Sequence, residues 1–321
     1  MTKSILVTGA AGFVGTKLCD LLVSRGYNVC ATVRKASPGP RRPGLTVWET
    51  GDINEYSHWE LLLRDCSTVI HLAARAHILN ETAENPIEVF RRTNTEVTLS
   101  LARAAVKARV SRFIFVSTAA VIGNKNMRRP INENDPPNPI EPYAISKWEA
   151  EQALQEFSKK SGLQLVIVRP PGVYGANNPG NFLRLLRIIK KGVPLPLASV
   201  HNKRSFINVY NLCDFLIACI HHPKAAGKTF LISDGENASL VEIMQILANG
   251  MGCRLKLFPF PVSLLRFLAS LIGKESIIEK LCETRLVDSS FARNSLDWRP
   301  VLSLQDGLLE TAKWYVSTKS S

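Results

Sequence analysis

A chain of 321 residues, 45% hydrophobic and 21% charged, has the balance of a globular protein that buries a full core in one or two domains. Its formal net charge of +13 is spread along the sequence without a long basic run or a nucleic-acid motif, which argues against nucleic acid as partner and leaves an anionic small molecule and a basic surface near anionic lipids. The seven cysteines are scattered, odd in number and form no CxxC, so they read as buried thiols in a reducing, cytoplasmic compartment and not as a metal site; the longest apolar stretch, residues 260–272, is too short to span a bilayer and is interrupted by Arg266.

Met1-Thr2-Lys3 leads directly into an apolar strand over residues 3–8, so no secretory leader is expected. Gly9, Gly12 and Gly15 stand at a strand–helix turn, before an apolar-periodic helix from Lys17 to Ser24 closed by Gly26 and a second strand from Asn28 to Val33. Glycine there lets the backbone bend sharply and approach a pyrophosphate seated on the helix N-terminus. The spacing is GxxGxxG, with Ala10 and Ala11 keeping the turn small. A carboxylate about 20 residues past the glycines commonly meets the ribose 2′-hydroxyl of NAD. None stands between Leu21 and Val47; the second strand runs out into Arg34 and Lys35. A guanidinium suits a 2′-phosphate, so the cofactor reads as NADP(H), with NAD(H) the alternative if Arg34 is only a solvated strand end.

Residues 36–44 read as a loop, residues 46–48 as a short strand, and Asp52 as an acceptor for the adenine amine or the N-cap of a helix over 56–63. Thr68 to Leu72 is a buried strand running into Ala73 and Ala74, small enough for a cofactor to pass. The loop from Arg75 to Pro86 carries Arg75 and His77 towards substrate or solvent, and the helix after it contains Asn94 and ends near Ala108. Arg112 to Val116 is a strand delivering Ser117 and Thr118 at its C-terminal end, which faces the ligand in an open α/β sheet. Pro142 opens a helix to about Ser158, and Tyr143 and Lys147, four residues apart, put a phenol and an ammonium on one face of it. The ammonium, like a cationic nicotinamide ring, favours a phenolate that a free tyrosine, with a pKa of about 10, does not reach at pH 7.

Past Gly175, residues 177–181 cap a helix to Lys191, and residues 194–200 form a loop or short strand. A strand around Arg204 leads to a helix containing Asp214, Thr229 to Ile232 is a strand, and Ser239 starts a helix to Asn249. Phe258 and the apolar stretch after it read as a lid packed on the core, and Ser303 to Tyr315 as a closing helix.

These segments, in this order, resemble an extended short-chain dehydrogenase/reductase of the NAD(P)-dependent nucleotide-sugar epimerase/dehydratase family. The matching stretches are Thr8-Gly9 with Gly12 and Gly15, Gly51-Asp52-Ile53, His71-Leu72-Ala73-Ala74, Asn94, Val116-Ser117-Thr118-Ala119, Tyr143 with Lys147, and Arg169-Pro170 with Val173-Tyr174-Gly175, which together cover nearly the whole length. The resemblance implies an α/β fold: a Rossmann doubly wound parallel sheet over 1–171 that binds NAD(P), and a smaller C-terminal α/β substrate-binding region over 172–321, with segments near 204–234 returning to the sheet. It implies a catalytic set of Thr118, Tyr143 and Lys147, in which Tyr143 exchanges a proton with a sugar oxygen, Thr118 hydrogen-bonds that oxygen, and Lys147 binds the nicotinamide ribose and lowers the phenol's pKa. Implied cofactor contacts are Gly9, Gly12, Phe13, Val14, Arg34, Asp52, Ile53, Leu72, Ala73, Ala74, Asn94, Ser117, Pro170 and Val173 beside Tyr143 and Lys147. Implied substrate contacts are Thr118, Tyr143, Asn181 and Arg204, the last on the nucleotide diphosphate. Arg285 is a second phosphate candidate, and a homodimer through helices near 93–107 and 143–158 is expected.

Departures from the family pattern narrow the chemistry. Dehydratases carry an Asp-Glu pair after the threonine, and the GDP-fucose synthases a cysteine; Ala119 and Ala120 stand here, leaving redox at one carbon. Ile122 replaces a tyrosine, Gly172 stands where many relatives have an asparagine, and Asp297 replaces a glycine. Asn202, Arg204-Ser205, Asn211-Leu212, Asp214, Asp234-Gly235 and Leu271-Ile272-Gly273-Lys274 resemble bacterial surface-polysaccharide enzymes, some of which reduce UDP-4-keto-6-deoxy-N-acetylglucosamine. A UDP-sugar 4-ketoreductase using NADPH is therefore expected, with a UDP-glucose or UDP-N-acetylglucosamine 4-epimerase holding NAD, and a non-catalytic dinucleotide-binding regulator, as the alternatives.

Overall fold

Short runs of branched apolar residues, separated by helices of 3.6-residue periodicity, give strands that must be covered on both faces. The computed structural model describes residues 3–36, 42–76, 85–123 and 129–318. Its main sheet is built from β1 (Ser4–Thr8), β2 (Val29–Val33), β3 (Leu45–Glu49), β4 (Cys66–His71), β5 (Arg112–Val116), β6 (Gln164–Arg169) and β9 (Thr229–Leu231), all parallel, in the order β3-β2-β1-β4-β5-β6-β9. The order reverses between β1 and β4, so a crevice opens at their C-terminal ends, where Thr8 pairs with His71.

One face of the sheet is covered by α1 (Phe13–Ser24), α7 (Val209–His221) and α11 (Ser290–Leu296), which bury Leu18, Leu22, Leu212, Phe215, Leu216 and Leu296. The other is covered by α2 (Trp59–Leu63), α4 (Val97–Lys107) and α5 (Pro142–Ser161), with Trp59, Leu101, Ala105 and Leu154 in the core. α3 (Pro86–Arg91) continues into α4 through a π-helical turn at Arg92–Glu96. Buried Arg112 donates from Nη1 to the carbonyls of Cys219, Ile220 and His222 at 2.8, 2.9 and 3.0 Å, so a strand residue satisfies the open C-terminus of α7.

The second layer holds β7 (Gly172–Tyr174), β8 (Arg204–Asn208) and β10 (Asn237–Ala238), ordered β10-β8-β7, with α6 (Asn181–Lys191), α8 (Leu240–Gly250), α9 (Val262–Leu271), α10 (Glu275–Cys282) and α12 (Leu304–Ser317). Of the stretches expected to return to the main sheet, β9 does so beside β6, whereas β8 lies between β7 and β10. Ser239 caps α8 reciprocally with Glu242.

Several elements differ from the sequence reading. α1 starts at Phe13 because Gly12 is already its cap. The helix expected over 56–63 shrinks to Trp59–Leu63, and Asp52 makes a local turn with Asn54 instead of capping it. The apolar stretch expected to pack as a lid buries only Ala269 of α9. No helix among the described residues is long and apolar enough to cross a membrane.

Candidate functional site

The turn after β1 is a cradle that a Cβ would fill. Gly9 has φ +68°, and a side chain there would meet the Ala73 nitrogen at 2.8 Å, so the turn sits tight against the end of β4. A side chain at Gly15 would run into the Gly9 carbonyl oxygen and into the Ala10 Cα at 2.7 Å. Gly12 donates to the Gly9 carbonyl at 3.0 Å, and α1 begins there with no side-chain cap on its first N–H groups. Phe13 and Val14 are half-buried in that first turn. Bare N–H groups at a helix start beside a small-residue turn fit a pyrophosphate.

Outward along the crevice, Arg34 is exposed at the end of β2. The fold brings one carboxylate close to it that sequence spacing did not: Glu49 ends the neighbouring β3, and its Oε2 accepts from the Ala36 N–H at 3.0 Å. Asp52 is exposed; its Oδ1 accepts from the backbone and side-chain nitrogens of Asn54 at 2.9 and 2.8 Å. These bonds, with Arg34 and Arg92 adding positive charge, hold its carboxyl below the usual range. Ile53 packs against the core on the α2 side.

Inside the crevice lies a hydrogen-bond chain with partners far apart in sequence. The Ala73 N–H donates to Thr8 Oγ1 at 3.2 Å, Thr8 Oγ1 is 2.7 Å from His71 Nδ1, and His71 Nε2 is 2.8 Å from Thr98 Oγ1. The Thr98 hydroxyl hydrogen is committed to the Asn94 carbonyl at 2.7 Å, so Thr98 accepts from His71 Nε2–H and Nδ1 accepts from Thr8. Burial, with the Lys147 charge adding, pushes this imidazole down to about 3. Asn94, in the π turn, accepts from the Arg75 N–H at 2.8 Å and donates from Nδ2 to Ser146 Oγ at 2.9 Å, and Ser146 donates to the Tyr143 carbonyl at 2.9 Å. Leu72, Ala73 and Ala74 are half-buried beside this chain. His77 lies outside the described residues, and the Arg75 guanidinium stacks over Phe90, 5.6 Å from its centroid.

Ser117 and Thr118 follow β5, and α5 packs on the 3₁₀ turn Ala119–Ile122 after them. Ser117 Oγ is buried without a hydrogen-bond partner among the described residues, an orphan group that a bound molecule can satisfy. Thr118 Oγ1 accepts from the Ala120 N–H at 3.2 Å, which leaves its own hydrogen available to donate. Lys147 is buried, its Nζ 4.0 Å above the Phe115 ring. Glu151, one turn on, is committed to Arg169 through buried contacts of 3.0, 3.1 and 2.5 Å.

The titration of the pair differs from the sequence expectation. Burial pushes the Tyr143 phenol up to about 12 and the Lys147 ammonium down to about 7, with Glu151 opposing the latter. For the phenol, desolvation is the cause of the shift and outweighs the nearby ammonium.

On the substrate side, Pro170 is buried and accepts from the Ala119 N–H at 2.9 Å, while Val173 pairs with Ile207 in the second sheet. Asn181 is the first residue of α6. Arg204 donates to the Lys280 carbonyl at 3.2 Å and stacks on Phe206, 5.6 Å from its centroid. Its strand bridges the segment of Arg285, whose Nη2 is 2.9 Å from Glu283, while Arg285 Nε is buried without a partner among the described residues. An open cavity of about 910 Å³ lies elsewhere, at the β3 edge between Asn28, Trp48, Leu61 and Cys66, and none of these candidate residues lines it. Among the described residues no cluster of His, Cys, Asp or Glu could hold a metal.

Residues 5–233 match the NAD dependent epimerase/dehydratase family. A Vibrio cholerae protein called UDP-glucose 4-epimerase is 38% identical over 100% of this chain and 98% of its own length. An Escherichia coli O157:H7 protein called N-acetyl-alpha-D-glucosaminyl-diphospho-ditrans,octacis-undecaprenol 4-epimerase is 26% identical over 98% and 96%. In fold, the chain superposes on the UDP-glucose 4-epimerase of Thermotoga maritima, solved with UDP-glucose, with a TM-score of 0.80 over 98% of this chain and 99% of that one, at 24% identity.

Proposed function

The chain belongs to the NAD dependent epimerase/dehydratase family and is an enzyme of the extended short-chain dehydrogenase/reductase type, and on that premise we propose that it moves a hydride and a proton at C4 of a UDP-sugar. The observation that supports this reading is that the Gly9–Gly15 turn follows β1 and Ser117-Thr118 follows β5, two strands along in the same parallel sheet, while the Tyr143/Lys147 helix packs on the turn after Thr118.

In this reading the first turn of α1 and Gly9 to Val14 hold the pyrophosphate, Asp52 and Ile53 the adenine, and Leu72 to Ala74, Asn94, Pro170 and Val173 the rest of the nucleotide. A bound NAD(P) supplies the hydride donor or acceptor and, when oxidised, a positive ring. Lys147 donates to the nicotinamide ribose, and the buried Ser117 hydroxyl gains a partner. Thr118 donates its free hydrogen to the C4 oxygen. Tyr143, held as a neutral phenol by burial, gives its proton to that oxygen as a ketone becomes an alcohol. Arg204 takes the UDP side.

The first reading is reduction of a UDP-4-keto-6-deoxy-N-acetylhexosamine by NADPH, in surface-polysaccharide precursor synthesis. Its support is Arg34, exposed at the end of β2, with the nearby Glu49 carboxylate already bonded to Ala36, and the lack of a dehydratase acid pair at Ala119 and Ala120. The second reading, 4-epimerisation of UDP-glucose or UDP-N-acetylglucosamine with tightly held NAD, is supported by the name of the 38% identical relative. A homodimer through α4 and α5, in the cytoplasm, belongs to both. The nucleotide that copurifies separates them: bound NAD supports the epimerase, and an empty site that takes NADPH and consumes it with the keto-sugar supports the reductase.

A further inference from the structure

Helix α9 is apolar in sequence but stands largely outside the core. Of its ten residues only Ala269 is buried; Phe267 is 58% exposed and Leu271 67%, with Leu264, Leu268 and Ile272 beside them. An apolar face of this kind is uncommon on a protein that meets only water.

The neighbouring surface is cationic. Arg266 and Lys274 are exposed on and just after the helix. Before it, residues 256–260 pair with 195–199, through Leu195 and Leu257, and that ribbon joins α9 to the C-terminal end of α6. α6 exposes Arg184, Arg187, Lys190 and Lys191 around Ile188. Residues 181–193 hold four basic and no acidic side chains, and residues 254–282 five basic against two acidic, so these two segments carry over half of the net +13.

We propose that this face docks on an anionic phospholipid bilayer. Leu264, Phe267, Leu268 and Leu271 enter the headgroup–acyl boundary, while the α6 cations and Lys274 lie over the phosphates. The combination of an exposed apolar helix and a basic border is the pattern of an interfacial helix, and the attraction of each cation adds to the buried apolar area. A second copy of the chain fits less well. Pairing would press two like-charged borders together, and a ten-residue helix, about 15 Å long, offers much less than the roughly 800 Å² per partner of a stable interface. The proposal concerns where the enzyme works and holds for either reading of its reaction.

The test is co-sedimentation of the full chain with phosphatidylglycerol-containing and pure phosphatidylcholine vesicles at about 0.1 M salt. The expected result is binding to the anionic vesicles alone. Phe267→Ser with Leu271→Ser should weaken it about ten-fold or more, Lys190→Glu with Lys191→Glu should weaken it as well, and Lys224→Glu with Lys228→Glu, exposed outside α6, α9 and the helices of the proposed dimer, should not. Far-UV melting of each variant checks its fold. Phe267→Trp gives a reading that needs no loss of binding: brominated phosphatidylglycerol should quench more of its emission than of the wild type's. Absence of anionic-vesicle binding, binding that the Phe267/Leu271 variant leaves intact, no added quenching, or a concentration-dependent dimer abolished by that variant without lipid binding would each overturn the proposal.

Discussion

Replacing His71 by glutamine isolates a pH effect that the fold imposes on one buried ring. His71 is fully buried between Thr8 and Thr98, and burial, with the Lys147 charge, lowers it from 6.5 to about 3. Between those values the unfolded chain binds a proton that the native state refuses, so stability is complete above pH 6.5 and is lost as pH falls towards 3. At about 1.4 kcal/mol per unit, the loss reaches about 3 kcal/mol by pH 4.5. Glutamine keeps one donor and one acceptor but does not titrate. His71→Gln should therefore cost about 1–2 kcal/mol at pH 7, while at pH 4.5 the variant should equal or exceed the wild type. Urea unfolding of both proteins at the two pH values measures this. Asp234, raised by burial to about 6, contributes the opposite slope between 3.8 and 6, but it is common to both proteins and cancels. A wild-type-minus-variant difference that stays constant from pH 7 to pH 4.5 would refute the assignment of a neutral, doubly bonded His71.

Four further expectations rest on separate contacts. Tyr143→Phe should lower turnover by about 10² or more while the cofactor Kd, by fluorescence titration, changes little; loss of binding with intact turnover would contradict the role. Arg34→Asp should weaken NADPH by about ten-fold or more and NADH hardly at all, and equal effects in the same titration would make Arg34 a solvated strand end. Gly15→Ala drives a methyl into the Gly9–Ala10 backbone and should cost about 1–3 kcal/mol together with cofactor binding, read by thermal melting with and without nucleotide. Glu151→Gln leaves Arg169 as a buried charge and should cost about 3–5 kcal/mol in urea unfolding.

What was legible in the sequence is what is local. The glycine turn, Ser117-Thr118 at a strand end and the i, i+4 pair Tyr143/Lys147 are each set by a few consecutive residues; the first follows β1, the second follows β5, and the third lies on α5, which packs on the turn after Thr118. The Thr8–His71–Thr98 chain was not legible, because its members stand 63 and 27 residues apart and meet only when β1, β4 and α4 pack. Ser146 meets Asn94 across 52 residues for the same reason, although its position three residues after Tyr143 is a local signal. The raised phenol of Tyr143 is likewise a tertiary effect: spacing shows the ammonium, not the desolvation that weakens it. The exposure of α9 could not be read from an apolar run, since the same letters suit a packed lid and an open face. β8 goes to the second sheet because Phe206 to Asn208 find β7 as a partner, a choice that strand propensity does not encode.

The most direct test of the central claim is transfer of label to C4. The protein, NADPH deuterated at the transferring position of the nicotinamide, and UDP-4-keto-6-deoxy-N-acetylglucosamine should yield a carbinol bearing deuterium at C4 by NMR, with Tyr143→Phe reducing the rate at least about 10²-fold. Deuterium at another carbon, or label transfer that persists unchanged in Tyr143→Phe, would contradict hydride and proton delivery at C4 by this site.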